Sequence, residues 1–296
     1  MEIEKCEILI TGGAGFVGSN LCKRLVEMRA KRVVSIDNYF TGTIRNHVDN
    51  VEYIMGSTEK IGELVAGNFN LVFHLGEYSR VEQSFEDVDL VWKYNRNGTL
   101  EVIKFCLENG CKLIYAGSST KYGDGGLGRS QSPYAWSKAS NTELVKNYGE
   151  WFGLEYAITY FYNVYGDNEI DEGDYATLIG LFTRRSMCNL PLQVVKPGHQ
   201  RRNFTHIEDI VNGLILIGAL GFGDDYGIGV AESYSILEVA EMFGGNIEFL
   251  PERRGNRTSS EVVTEKTRSL GWKPRHNLPD FVKNKKKWFK KQHARR

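Results

Sequence analysis

The segment ILITGGAGFVG, residues 8–18, decides the fold. Its apolar, β-branched start predicts a buried strand, and its end opens a helical stretch. Between them, Gly12, Gly15 and Gly18 have the GxxGxxG spacing of a dinucleotide fingerprint. The first glycine allows a tight turn, the second lets the backbone approach a pyrophosphate, and the third lets helix and strand pack closely. The segment therefore predicts a dinucleotide site with the pyrophosphate at a helix N-terminus.

Asp37 ends the second predicted strand, 25 residues after Gly12. A carboxylate there accepts hydrogen bonds from the adenosine ribose hydroxyls and repels a 2′-phosphate. Asn38 and Tyr39 follow it, so no basic residue comes directly after the strand to bind such a phosphate. We therefore predict NAD, rather than NADP, as the cofactor.

The first half of the chain alternates short apolar runs with helical stretches, which is typical of a parallel sheet wrapped by helices. The predicted strands are 8–11, 32–37, 51–55, 71–75, 113–116 and 156–161, and the predicted helices are 16–28, 88–109 and 139–152. Past residue 165 the alternation is less regular, and residues 167–174 indicate an acidic loop. We predict a doubly wound, Rossmann-type α/β fold. It comprises an NAD-binding domain (1–164) and a smaller substrate-binding α/β lobe (165–296), with some later segments returning to the first domain and the ligand cleft between the two.

The charge of the chain is balanced overall but not along its length. It has 37 Lys+Arg and 37 Asp+Glu, yet residues 281–296 hold eight basic and no acidic residues, which leaves a net charge of −8 on residues 1–280. The spacing of Phe281, Val282, Trp288 and Phe289 predicts a C-terminal helix that docks on the body with its lysines in water. The acidic body and the lack of an aromatic array argue against nucleic-acid binding.

Composition excludes several classes of protein. No apolar run reaches the ~18 residues needed to span a membrane, and the charged start MEIEK lacks the apolar core of a signal peptide. The five cysteines include no CxxC pair. We therefore expect reduced thiols, no metal site, no membrane association and a cytoplasmic protein.

Tyr134 and Lys138 form a Tyr-x-x-x-Lys spacing next to a predicted helix. Residues four apart on a helix share one face. A free phenol has a pKa near ~10, so forming phenolate at pH 7 costs roughly 4 kcal/mol. A neighbouring ammonium lowers that cost because it favours the anion. The pair indicates a tyrosine base assisted by a lysine.

Together, the glycine turn, Asp37, Ser118 and the Tyr134/Lys138 pair resemble the extended short-chain dehydrogenase/reductases that act on nucleotide sugars, such as UDP-glucose 4-epimerase. The resemblance covers nearly the whole chain. Further matching stretches are VFHLG (72–76), NRNGT (95–99), SSTKYG (118–123), NVYG (163–166), QRRNFTHIEDI (200–210) and LGWKP (270–274).

The resemblance implies a role for each matching residue. Tyr134 would be the general base and acid, Ser118 would hold the reacting sugar hydroxyl, and Lys138 would lower the pKa of Tyr134. The implied cofactor-binding residues are Gly12, Gly15, Phe16, Val17, Asp37, Asn38, Gly42, Gly56, Ser57, Leu75, Gly76, Glu77, Asn95, Tyr134, Lys138 and Phe161. The implied substrate-binding residues are Ser118, Ser119, Thr120, Asn163, Arg202 and Arg253, the last three on the diphosphate. His206 would be structural, at the domain junction.

The same resemblance narrows the reaction. Dehydratases of the family carry an Asp-Glu pair where this chain has Ser119 and Thr120, so dehydration is not expected. We expect an NAD-dependent epimerase of a nucleotide-diphosphate sugar, acting through a transient 4-keto sugar. A net 4-dehydrogenase or 4-ketoreductase is the alternative, because the same residues serve both. A catalytically idle NAD-binding protein is a further, less favoured alternative; loss of Ser118, Tyr134 or Lys138 would mark such a protein, and all three are present. The family also suggests a homodimer through a helical face.

Three positions depart from the family pattern. Tyr160 replaces an often basic residue, and Ser57 replaces an aspartate that commonly holds adenine. Glu77 stands where small apolar residues are usual, and would place an unusual charge near the nicotinamide, within reach of the substrate. These departures indicate an atypical sugar.

Overall fold

The computed structural model describes residues 1–122, 124–252 and 261–293. Its strands are β1 (Glu7–Thr11), β2 (Arg32–Asp37), β3 (Glu52–Met55), β4 (Leu71–His74), β5 (Lys112–Ser118), β6 (Tyr156–Phe161), β7 (Val164–Tyr165), β8 (Leu192–Val195), β9 (Arg201–Asn203), β10 (Thr205–His206), β11 (Gly223–Ile228), β12 (Ser233–Ser235) and β13 (Ile247–Leu250). Its α-helices are α1 (Phe16–Glu27), α2 (Ile61–Leu64), α3 (Val88–Val91), α4 (Gly98–Asn109), α5 (Pro133–Phe152), α6 (Leu178–Met187), α7 (Ile207–Leu220), α8 (Ile236–Phe243), α9 (Glu265–Ser269) and α10 (Leu278–His293).

Seven parallel strands form the central sheet, in the order β11-β6-β5-β4-β1-β2-β3. At its centre Leu9 pairs with Val34 on one side and with Val72 on the other. All three side chains are fully buried, which explains why these strands are continuous apolar runs. The connections reverse direction between β1 and β4, where such sheets place their ligand crevice. The predicted Rossmann-type fold is confirmed.

Helices cover both faces of the sheet. Successive β1 residues alternate between two apolar cores, since Ile10 packs with α1 and α7 whereas Leu9 packs with α4 and α5. All six predicted strands are present, with ends shifted by at most two residues. The predicted helix 88–109 is formed by α3 and α4, joined by a π-helical segment, Trp92–Asn97.

Helix α5 begins at Pro133, six residues before the predicted helix. The Ser132 hydroxyl caps it by accepting a backbone N–H three residues on at 3.0 Å, and a proline suits the first helical turn. Tyr134 and Lys138 therefore lie inside the first two turns. The cap fixes both side chains relative to the end of β5.

The second half of the chain contributes to two bodies. The segment holding α7 and β11 returns to the central sheet. A separate apolar cluster unites α6, α8 and α10 with the paired strands β8 and β13. On α10, Val282 and Phe289 are buried, whereas Trp288 is half exposed. Within the described ranges, no helix has both the length and the apolarity that a membrane span requires.

Candidate active site

A cleft of about 660 Å³ opens at the carboxyl ends of β1, β4, β5 and β6. Of the residues predicted to bind the cofactor, its walls include Gly12, Gly15, Phe16, Val17, Asp37, Asn38, Gly42, Gly56, Leu75, Gly76, Glu77 and Phe161. They also include Ser118, Ser119, Thr120, Tyr134, Lys138, Asn163 and Arg202. Arg253 lies outside the described residues. The fold thus brings most of the predicted site residues to one cavity.

The glycine turn has no room for side chains. Gly12 has a φ of +77°, and a Cβ there would lie 2.8 Å from the Gly76 Cα. A Cβ on Gly18 would lie 2.1 Å from the Gly12 carbonyl oxygen. Gly15 caps the N-terminus of α1 and lines the cleft, so backbone N–H groups at this end are open to a ligand. These features fit a dinucleotide pyrophosphate.

The Asp37 carboxylate is held rigidly at the end of β2. One oxygen accepts the Ala14 N–H at 2.9 Å and the other the Tyr39 N–H at 2.8 Å. Burial raises the pKa of Asp37, while the two backbone hydrogen bonds oppose that rise. Each oxygen keeps a lone pair that can accept a ribose hydroxyl.

Two residues predicted to bind the cofactor do not line the cleft. The Ser57 hydroxyl donates to a Glu59 carboxylate oxygen at 3.4 Å, while its neighbours Gly56 and Thr58 form the wall. Asn95 is fully buried, and its side chain exchanges hydrogen bonds with the Tyr78 backbone at 2.7 and 3.2 Å. Asn95 therefore supports the loop after β4 from behind.

Tyr134 faces the end of β5 across the cleft. Its hydroxyl donates to the Ser118 Oγ at 3.4 Å, and the Thr120 hydroxyl donates to the same atom at 3.0 Å. Three hydroxyls thus converge where the resemblance places the reacting sugar carbon. Ser119, which lies between Ser118 and Thr120 in the sequence, also lines the cleft and is buried.

Lys138 forms a buried ion pair with Glu77. The Nζ atom contacts one Glu77 carboxylate oxygen and the Ala116 carbonyl oxygen. The lysine and glutamate side chains are only 6% and 3% exposed. Glu77 was predicted near the nicotinamide, but the sequence did not predict its pairing with Lys138, the lysine expected to assist Tyr134.

Asn163 and Arg202 line the part of the cleft next to the second lobe. The Asn163 amide donates to the Asn203 carbonyl oxygen at 2.8 Å, and the Arg202 guanidinium donates to the Arg201 carbonyl oxygen at 2.8 Å. Asn203 in turn donates to three consecutive carbonyl groups that start at Val230. These hydrogen bonds tie β9 to the loop before β12 and fix this wall.

Sequence reasoning missed three charged residues of the cleft, the exposed Glu82 and the more buried Arg80 and Glu169. Arg80 donates to the carbonyl oxygens of Ser79 and Tyr175 at 3.0 Å each, and burial lowers its pKa. Glu169 accepts the Thr177 hydroxyl at 2.5 Å, and burial raises its pKa to about 7. Arg80 and Glu169 lie in loops, where hydrophobic periodicity gives no signal. Arg80 is bonded to a residue 95 positions away, and the raised pKa of Glu169 is caused by burial, so neither feature can be recognised from a local sequence pattern.

His206, Glu208 and His276 lie close together at the junction of the two lobes, although no metal site was expected. Their potential ligand atoms lie within 4.8 Å of one another. The two imidazole rings are stacked, with centroids 4.3 Å apart, and the His206 Nδ1 accepts the Glu208 N–H at 3.3 Å. His206 therefore serves as the N-cap of α7.

The sequence of the chain is similar to those of known proteins. The model of the NAD dependent epimerase/dehydratase family matches residues 8–229. The chain is 28% identical over 305 residues to a putative UDP-glucose 4-epimerase of Methanocaldococcus jannaschii, covering 96% of this chain and 98% of the relative. It is also 28% identical over 307 residues to UDP-glucuronic acid decarboxylase 2 of Arabidopsis thaliana, covering 94% of this chain and 67% of the relative.

A solved structure with the same fold contains NAD. The UDP-glucose 4-epimerase of Thermus thermophilus, in complex with NAD, superimposes with a TM-score of 0.85. The two sequences are 25% identical, and the match covers 96% of this chain and 99% of the other.

Proposed function

Because this chain belongs to the NAD dependent epimerase/dehydratase family and is an NAD-dependent enzyme of the extended short-chain dehydrogenase/reductase type, we propose that it is a nucleotide-sugar 4-epimerase. The observation that carries the proposal is the hydroxyl cluster of Ser118, Thr120 and Tyr134 beside a cofactor site. This cluster can hydrogen-bond one sugar hydroxyl, remove its proton and return it. The epimerases among the relatives support the same choice.

The proposed mechanism uses one base and one hydrogen-bonding partner. When bound, NAD would supply the hydride acceptor and donor for C4, and Gly12, Gly15 and Asp37 would hold it. Ser118 positions the C4 hydroxyl, and Tyr134 takes its proton and later gives it back. Asn163 and Arg202 hold the diphosphate, which lets the 4-keto sugar turn over before the hydride returns to its other face. The Arg202 guanidinium suits that role through charge-assisted hydrogen bonds.

The residues at positions 119 and 120 argue against water elimination. Elimination needs a second acid and base beside the serine, but Ser119 and Thr120 carry hydroxyls whose protons are far less acidic than those of carboxyl groups. The Thr120 hydroxyl is also committed to the Ser118 Oγ at 3.0 Å. A reaction that returns the hydride to C4 and the proton to the C4 oxygen requires no such pair.

The proposal is tested by incubating the purified protein with UDP-, GDP-, CDP- and dTDP-sugars. Products are followed by NMR and reduced cofactor by absorbance. We expect a C4 epimer with no net reduced cofactor. Stoichiometric reduced cofactor with a 4-keto product would replace the epimerase with a 4-dehydrogenase, and an unsaturated or 6-deoxy product would identify a dehydratase.

We also propose that the chain forms a homodimer through α5 and the helical segment 88–109. Trp92 and Trp136 stack on this face with ring centroids 5.2 Å apart and are 41% and 44% exposed. A second copy of the same face would cover them, because large apolar side chains are enriched in interfaces. Light scattering should show a dimer that Trp136→Glu converts to a monomer. Trp288→Glu, which changes an exposed tryptophan on α10, should leave the dimer intact.

We also propose that the protein is cytoplasmic, and its cysteines support this location. All five are unpaired, and four are buried, as is usual where thiols stay reduced.

A further inference from the structure

The pair of Glu77 and Lys138 has a charge balance that the proposed reaction does not explain. Lys138 is the residue expected to assist Tyr134, yet its ammonium contacts a carboxylate that is almost completely buried. Opposite charges in a poorly hydrated site cancel much of one another's field at a third group. Tyr134 and the nicotinamide, as the family places it, are such third groups.

Glu77 is locked in place by donors from three different elements. Its Oε1 accepts the Thr99 hydroxyl of α4 at 2.9 Å, the Tyr115 hydroxyl of β5 at 3.2 Å and the Asn141 amide of α5 at 3.0 Å. Its Oε2 is left to contact Lys138. Three donors on one oxygen fix the direction of the carboxylate.

The neighbours of the pair do not change charge near neutral pH. His74, whose Nε2 lies 2.9 Å from the Thr99 Oγ1, is fully buried, and burial lowers its pKa to about 4. Burial also raises the pKa of Tyr115. Arg80, the other cation that acts on Tyr134, is an arginine and stays protonated. Further along the cleft, Glu169 interacts with Arg80, and its pKa, raised by burial to about 7, means that it does change charge near neutral pH. The pH profiles are therefore compared between variants that all keep Glu169.

We propose that Glu77 is a positioning residue that fixes the Lys138 ammonium and offsets its charge beside the nicotinamide and Tyr134. The effect on the nicotinamide requires only that the chain binds NAD as its family does. The effect on Tyr134 rests on the proposed function. Two consequences follow from the added negative charge. It favours the cationic nicotinamide of NAD⁺ over the neutral ring of NADH, and it makes the Tyr134 phenolate harder to form.

The first consequence is tested without any sugar. Dissociation constants for NAD⁺ and NADH are measured by calorimetry and fluorescence for wild type, Glu77→Gln, Lys138→Met and the double variant. The ratio of the two constants isolates the charge effect, because contacts to the rest of the cofactor are common to both forms. Removing one unit charge beside the nicotinamide should change the ratio about tenfold.

The expected shifts differ in sign. Glu77→Gln should move the ratio toward NADH, Lys138→Met should move it toward NAD⁺, and the double variant should return close to wild type. Glu86→Gln, which removes an exposed charge from the same segment, should have no effect. An unchanged ratio in both single variants would overturn the proposal. If Glu77→Gln does not fold, the Lys138→Met shift and its reversal in the double variant still decide it.

The second consequence is read from the pH profile of kcat/KM. The acid limb should move to lower pH in Glu77→Gln and stay in place in Glu86→Gln. A purely structural role for Glu77 would lower the rate at every pH and leave the limb where it is. Failure of the epimerase proposal would remove this second readout, but it would leave the cofactor ratios to be measured as before.

Discussion

The two ends of the cleft are built in different ways. At the cofactor end, one contiguous segment supplies the turn, and the ligand would meet backbone N–H groups and the Asp37 carboxylate. At the end proposed for the sugar, residues from separate segments of the chain converge. Buried charges there, such as Glu77 and Glu169, are held by hydrogen-bond partners outside their own loops. A site made from backbone geometry can be deduced from a short motif. A site made from distant side chains needs the fold.

The largest expected effect is at the sugar end. Tyr134→Phe removes the only phenolic hydroxyl bonded to Ser118 among the described residues. We expect kcat to fall by about 10²–10⁴-fold, the usual contribution of a positioned acid or base. The affinity for NAD should change little, which steady-state kinetics and calorimetry would establish. Full activity in this variant would contradict the separation of the two ends.

At the cofactor end, a smaller effect is expected, and it should fall on cofactor affinity rather than on kcat. Asp37→Asn keeps the shape of the side chain but removes its charge. We expect the affinity for NAD to fall about 10- to 100-fold, the worth of hydrogen bonds to a charged group, and discrimination against NADP to narrow. The kcat at saturating cofactor should be nearly unchanged. Asp49→Asn, at an exposed position of the same domain, is the matched control. A loss confined to kcat would show that Asp37 does not serve the cofactor.

The smallest effect concerns the stability of the sugar end. Burial raises the pKa of Glu169 from 4.5 to about 7, so the folded chain keeps a proton that the unfolded chain releases. The free energy of unfolding should therefore fall as the pH rises from 4.5 to about 7, and level off above it.

The variant Glu169→Gln lacks this titration. Its Tm relative to wild type should be higher at pH 8 than at pH 5 by roughly a few degrees. Differential scanning calorimetry at the two pH values measures the difference, with the exposed Glu150→Gln as control. Identical pH dependence in wild type and Glu169→Gln would argue against a protonated carboxyl at this place.

The fold and most of the cleft could be predicted from the sequence, because buried strands and tight turns restrict which residues are tolerated. Continuous apolar runs mark buried parallel strands, and the steric limits at Gly12 and Gly18 are strict enough to leave a readable motif. Tyr134 and Lys138 are four residues apart on one helix, so their proximity is local. Their placement beside Ser118 came from the family resemblance.

What the sequence did not predict arises from long-range contacts. The ion pair between Glu77 and Lys138 joins residues 61 positions apart, and Arg80 meets the Tyr175 carbonyl 95 positions away. Asn95 matches the family motif, but its amide is used to support the loop at Tyr78. A side chain's type can be read from a motif, whereas its direction is decided by packing that no local pattern records.

The central claim is that a hydride leaves C4 and a proton leaves the C4 hydroxyl oxygen, and that each returns to the atom it left. The most direct measurement uses a nucleotide sugar deuterated at C4, in ordinary water, with the protein and NAD. We predict that the epimer forms with the deuterium still at C4 and with no accumulation of reduced cofactor. Deuterium lost from C4 into free reduced cofactor, or solvent hydrogen incorporated at a different carbon, would contradict the account.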